Sequence, residues 1–238
     1  MQRFRKNNAF YELMYKEMRT IILGVLLLMT INVSGQCCYC NTYEDFLEGQ
    51  WEKLDTVYCN SHSKSRQLWW GGNDFTLTTG DAATDRILKR DAFVVMQADT
   101  LYVNCRNLAF EKTRFGSGYT KAKRIGRQSL LFVNRIIGSD AAGQSMGARF
   151  ALGVIGGAIA AADQMKQQVC YVISWGPEEG KLLIPIRLVD DELVDKMVTD
   201  KDLIREYYSE KNKQNRILAN HVMPILEKAG LFEQQPKK

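Results

Sequence analysis

The 238 residues carry 32 Lys and Arg against 27 Asp and Glu, a net charge of +5, and 45% of them are hydrophobic. That composition belongs to a globular chain with material for a sizeable core, which excludes a disordered or collagen-like protein. Two histidines in the whole sequence leave classical triads and multi-histidine metal centres little to work with.

Residues 19–36 open on Arg19, continue through the apolar run Ile21, Ile22, Leu23, Gly24, Val25, Leu26, Leu27, Leu28 and Met29, and close on Val33, Ser34 and Gly35. The run falls short of the roughly 18–20 apolar residues that span a bilayer, so the pattern predicts a leader and cleaved export signal over residues 1–35. Cleavage removes five basic and two acidic residues and leaves a mature chain of about +2, located in the periplasm or cell envelope. All six cysteines lie in the mature part, where an oxidising compartment permits disulfides. A bridge from the cluster Cys37, Cys38 and Cys40 to Cys59 is one candidate, with Cys40–Cys59 as the pair, although spacing does not set connectivity. Gln36 stands where a lipoprotein peptidase wants a small residue, so a lipid anchor at Cys37 is disfavoured. Zinc held by that cluster with Cys59 and His62 is disfavoured too, since the first cysteines lack the usual two-residue gap; no metal and no cofactor are expected.

Residues 42–49 predict a short helix with Tyr43, Phe46 and Leu47 at helical spacing. Strands are predicted at 54–59, 68–70 and 75–79, each short and bounded by polar turn residues. Asp81 caps a helix running to Lys89, and residues 93–96 and 101–103 form a hairpin around Ala98-Asp99. Further strands are predicted at 130–137, 169–175 and 182–186, paired antiparallel by their turns. Between them, residues 141–162 are rich in Gly and Ala, with Gly143 and Gly147, Gly153 and Gly157, and Gly156 and Ala160 each four apart on shared helical faces. From Val189 onward helical stripes take over, with a start near Thr199 and Asp202, a last helix over 214–228 kinked or begun by Pro224, and an end at Gly230. The expected architecture is therefore α+β: a largely antiparallel β-sheet, a Gly/Ala-rich helix packed on it, and C-terminal helices. One domain is expected over 36–231, β-rich at 50–188 and helical at 189–231, followed by a loose tail at 232–238.

The order of Asp99-Thr100-Leu101-Tyr102-Val103-Asn104-Cys105-Arg106, then Gly118-Tyr119-Thr120-Lys121-Ala122, then the Gly/Ala segment ahead of Cys170-Tyr171-Val172-Ile173, resembles a family of uncharacterised exported Bacteroidota proteins, a domain of unknown function. The resemblance covers most of the mature chain. It implies export and a single domain, and it transfers no activity and no site residue.

The strongest compositional anomaly is the basic stripe of residues 105–135, in which Arg114, Lys121, Lys123, Arg124 and Arg127 are interleaved with Tyr119 and balanced by the single acid Glu111. Summed charge of this kind suits an anionic glycan, a lipid head group or an envelope protein, and export removes nucleic acid from the expected partners. A solvated strand face neutralised by the acid-rich region 178–210 is the competing reading. Trp69 and Trp70 suit stacking on a sugar ring, against a strand end placing one indole in the core. The loop 138–145 has a phosphate-loop outline with Gln144 in the lysine place, and Ser61 to Lys64 fits a Ser-x-x-Lys pattern without its partners; neither carries an activity. The expected function is a noncatalytic exported envelope protein binding through the basic stripe. The alternatives are an assembly subunit that self-associates or touches membrane through the Gly-rich helix, and a hydrolase whose carboxylates the sequence does not single out.

Overall fold

In the computed structural model, residues 37–63, 66–67, 73–137, 168–174 and 186–232 are described. The chain divides into two units, Met1–Gln36 and Cys37–Lys238. The export signal, Trp69 and Trp70, the loop 138–145, the Gly/Ala segment, the strand expected at 182–186 save for its last residue, and the tail from 233 all fall outside the described residues.

The second unit has α+β architecture, as its sequence pattern predicts. Its strands are β1 (Cys37–Cys40), β2 (Glu52–Leu54), β3 (Tyr58–Ser61), β4 (Phe75–Thr78), β5 (Val94–Gln97), β6 (Thr100–Asn104), β7 (Ala109–Phe110), β8 (Thr113–Arg114), β9 (Tyr119–Ile125), β10 (Ser129–Arg135), β11 (Gln168–Ser174) and β12 (Ile186–Leu188). Its helices are α1 (Tyr43–Glu48), α2 (Ala82–Arg90), α3 (Asp191–Met197), α4 (Lys201–Tyr207), α5 (Lys213–Arg216) and α6 (Ala219–Lys228). Ten strands form one antiparallel sheet in the order β12-β11-β10-β9-β6-β5-β1-β2, with β4 joined to β9 and β3 to β4, while β7 and β8 pair separately.

Local chemistry accounts for most of these boundaries. Thr42 and Asp45 close a reciprocal capping box on α1, and Gly49 ends it in the left-handed conformation, at φ +73°. Asp81 and Asp190 cap α2 and α3 through Thr84 and Leu193. The start expected at Thr199 falls one residue later, where Asp200 accepts from the amides of Asp202 and Leu203. The single strand expected at 54–59 is two strands, β2 and β3, that pair with different partners. The break expected at Pro224 occurs instead at Leu218, because Leu218 bridges Val169 of β11 and leaves the helical path; Pro224 sits inside α6. β1 and β9 were hidden in the sequence, the first by its cysteines and the second by its lysines.

Strand alternation sorts the sheet into two faces. On one, Val103, Ala122, Phe132 and Tyr171 pack with Tyr43 and Phe46 of α1 and with Phe115. On the other, two separate cores form. Leu131 and Val172 pack under α3, α4 and α6, and Tyr39, Val95, Tyr102 and Tyr119 pack with Leu88 of α2 and Leu77 of β4. Between these two cores, β9 presents Lys121 and Lys123.

A charged clamp joins α3, α4 and α5 among the C-terminal helices. Arg216 Nε and Nη2 donate to Asp191 at 2.9 and 2.5 Å, and the Tyr207 hydroxyl adds a third bond at 2.9 Å. Chiefly through the Arg216 bonds, the Asp191 carboxyl is held below its ordinary range. A depressed carboxylate contributes its full stability above the unfolded pKa of about 4 and loses it as pH falls through the folded value. Asp191→Asn is expected to cost about 2 kcal/mol at pH 7, a typical figure for charge-assisted bonds, and steadily less below pH about 4. Urea midpoints across that range check it; a constant difference from pH 7 to pH 2 contradicts it.

Candidate functional site

The site lies where β9 changes neighbours. Ala122 to Ile125 pair with β10, but Tyr119 on the same edge pairs with Phe75 of β4, so β4 and β10 part above the middle of β9. The fork opens a cleft of about 370 Å³. Its charged and polar lining includes Lys121, Lys123, His62, Asp74 and Gln168; Phe75, Val133 and Met223 of α6 supply half-buried apolar walls over Leu131.

The fork is pinned by a buried polar network. Asn73 is buried; its side-chain amide faces the carbonyls of Phe115, Gly116 and Ser117 at 3.4, 3.2 and 3.0 Å, and its Oδ1 accepts from Asn134 Nδ2 at 2.7 Å. Asp74 follows directly: Oδ1 accepts from Gln67 at 3.0 Å and Oδ2 from the Thr120 hydroxyl at 3.0 Å. His62 Nδ1 lies 2.8 Å from the Asn73 carbonyl and Nε2 2.9 Å from the Thr76 hydroxyl. A carbonyl only accepts, so Nδ1 carries the proton and, in the neutral ring, Nε2 takes the Thr76 hydrogen.

The sequence-derived candidates scatter around this centre. Lys121 and Lys123 are exposed at the cleft. Lys121 Nζ sits 5.6 Å from the Phe75 ring centroid, whereas Lys123 Nζ is 2.6 Å from Glu227 Oε1 and 4.6 Å from the Phe232 ring centroid. Arg124 points to the opposite face, with its guanidinium 4.4 Å from the Phe46 ring centroid. Arg127 stands in the β9–β10 turn and Arg114 on β8. Tyr119 is buried and its hydroxyl donates to the Leu88 carbonyl at the end of α2, so it is a core tyrosine with its acidity suppressed by burial. The basic stripe is therefore not one surface. Strand period explains why: residues 121 and 123 share a face that 124 does not.

The cysteines meet a similar division. Cys40 and Cys59 are not bridged: they lie on opposite faces of the sheet, Cys40 with Phe46 and Val94, Cys59 beside Tyr102 and Leu77. Cys40 Sγ donates to the Gln50 carbonyl at 3.2 Å, and burial pushes its thiol up to about 12. Cys105 lies nearer the fork, 3.8 Å from Asn134 Nδ2, but it is fully buried and its thiol is pushed higher still. Among the described residues no group of three His, Cys, Asp or Glu side chains is placed to hold a metal ion, and no helix is long and apolar enough to cross a membrane.

A model of the family of unknown function DUF6563 matches residues 38–233. The chain belongs to that family. The matched span begins one residue into β1 and ends one residue after the Phe232–Ile125 bridge, so it takes in the fork and both lysines of this DUF6563 domain. No curated protein and no solved structure matches the chain.

The network residues Asn73, Asp74, Thr120 and Asn134 were not singled out by sequence reasoning. The available signal was the run Gly-Gly-Asn-Asp ahead of a strand, polar residues that favour turns and bond to nearby backbone.

Proposed function

We propose that this DUF6563 domain is a noncatalytic binding module and that its cleft takes the anionic group of its ligand on Lys121 and Lys123. The observation that carries the reading is the state of the two ammonium groups. Two residues apart on one strand face, they stand roughly 7 Å apart along the backbone, close enough to bracket one carboxylate or phosphate. Lys123 already holds a carboxylate, that of Glu227, while the Lys121 ammonium has no carboxylate partner among the described residues. Glu227 thus marks where an anionic oxygen sits. Both side chains of that pair are about half exposed, 46% and 51%, and an exposed pair is worth about 0–1 kcal/mol, so a ligand can displace it.

Binding is favoured over hydrolysis because the reactive groups nearby are already engaged. Both His62 nitrogens have partners, both Asp74 oxygens accept hydrogen bonds, and Cys105 is sealed in the core. With the apolar run at 21–29 read as an export signal, the ligand would be an anionic component of the envelope or a partner protein carrying one.

The test is a thermal-shift titration of the full chain with small carboxylates and phosphomonoesters at low and high salt. The expected result is a rise in melting temperature for the native protein by mass action, smaller at high salt, and no rise for Lys121→Gln/Lys123→Gln. An equal rise in the double variant overturns the proposal.

A further inference from the structure

The walls of the cleft say more about its occupant than its charge does. Phe75 and Val133 are half-buried on opposite sides of the fork, Met223 projects from α6, and Leu131 forms the floor between them. This apolar strip begins beside an ammonium group: Lys121 Nζ is 5.6 Å from the centre of the Phe75 ring, and Lys123 lines the same cleft. A free inorganic ion would use the lysines and leave the strip wet. A volume of about 370 Å³ is also several times what such an ion needs, and lies within the range of about 300–1,000 Å³ usual for organic ligands.

We propose that the ligand is a single-chain anionic amphiphile, with its carboxylate or phosphate on Lys121 and Lys123 and its hydrocarbon chain laid along Phe75, Leu131, Val133 and Met223. This rests on the anion reading of the same cleft and adds the chemical class of the body behind the anion. Burying methylene groups against the strip supplies affinity that charge alone does not, because exposed lysines are screened by salt and by water. The ammonium stems assist, since Lys side chains lay their own methylenes on apolar surface while the heads stay solvated. Asp74 also borders the cleft, its oxygens accepting from Gln67 and Thr120, and its negative charge disfavours a head placed beside it.

Isothermal titration calorimetry of the full chain tests the proposal with octyl phosphate, octanoate, inorganic phosphate, acetate and 1-octanol, all below micelle-forming concentrations. Octyl phosphate and octanoate should each bind at least tenfold more tightly than the corresponding short anion, and 1-octanol should bind more weakly than either. Lys121→Gln should weaken every anion, while Met223→Gln should weaken only those bearing the octyl chain. The two eight-carbon ligands distinguish a phosphate from a carboxylate head. If inorganic phosphate and acetate bind as tightly as their octyl forms, and Met223→Gln changes neither, the amphiphile is wrong while the anion reading stands. If 1-octanol binds as tightly as octanoate and Lys121→Gln has no effect, both readings fail.

Discussion

Gly118→Ala is expected to be among the most damaging single-methyl changes in this domain, with a loss of about 3–5 kcal/mol. Gly118 has φ +96°, a conformation that costs an L-residue about 1–3 kcal/mol wherever it occurs. The added Cβ would stand 2.9 Å from the Phe75 carbonyl oxygen and 3.3 Å from the Asn73 backbone nitrogen. Both neighbours are backbone. Neither can rotate away, so relief requires β4 to move off β9 at its single point of pairing, Phe75 with Tyr119. In a domain of this size each kcal/mol moves the melting temperature by about 2–4 °C, which makes the expected fall roughly 6–20 °C. Gly49→Ala is the control. Gly49 also has positive φ, +73°, but nothing lies within 4 Å of its added Cβ, so it should show the conformational cost alone. Similar urea midpoints for the two variants would mean that the close approach at Gly118 is not tight in solution.

Asn73→Ala is expected to cost about 2–4 kcal/mol for a different reason. Nothing clashes. Instead the substitution takes away the buried acceptor of the Asn134 amide and the side-chain donor of the Gly116 carbonyl, while Phe115 and Ser117 keep Arg135 and the Asn73 backbone amide as donors. Each buried polar group left without a partner costs about 1–3 kcal/mol, and the void left by the side chain is roomy enough for water to recover only part of that. Asn134→Ala removes the same contact from the other end, so the double variant should lose less than the sum of the singles, by about 1 kcal/mol. Strict additivity in chemical denaturation would show that the Asn73–Asn134 bond does not join the fork. The loss should also reach the cleft, because Asn73 positions Asp74 on one side and accepts from His62 on the other.

These two positions show how the site is made. Lys121 and Lys123 are surface residues on a strand and need little to be presented. The walls around them depend on β4 meeting β9 at Phe75 and on β10 running on to Arg135 with β11 as its neighbour. The positive charge is therefore local, and the concavity is a consequence of pairing.

Several elements were readable directly. The 93–103 hairpin, the Asp81-capped start of α2 and the end of the last helix all express interactions between residues within a few positions, which the order of side chains displays. β9 was misread because Tyr-Thr-Lys-Ala-Lys-Arg-Ile looks like a charge run; its period of two, with Thr120 and Ala122 buried between exposed lysines, was present but overshadowed by composition. The helix break at Leu218 was not readable at all, since its cause is a bridge to Val169, 49 positions earlier.

Taken alone, the sequence determined an α+β chain, its hairpin, the Asp81 cap and the close spacing of Lys121 and Lys123, because those properties rest on short-range geometry and on the order of side chains. Only the tertiary structure decided which cations share a surface, that Cys40 and Cys59 lie on opposite faces of the sheet, and that Asp74 meets Thr120 across 46 residues to hold a cleft open. Contacts of that separation are chosen by the packing of the whole sheet, and no local pattern records them.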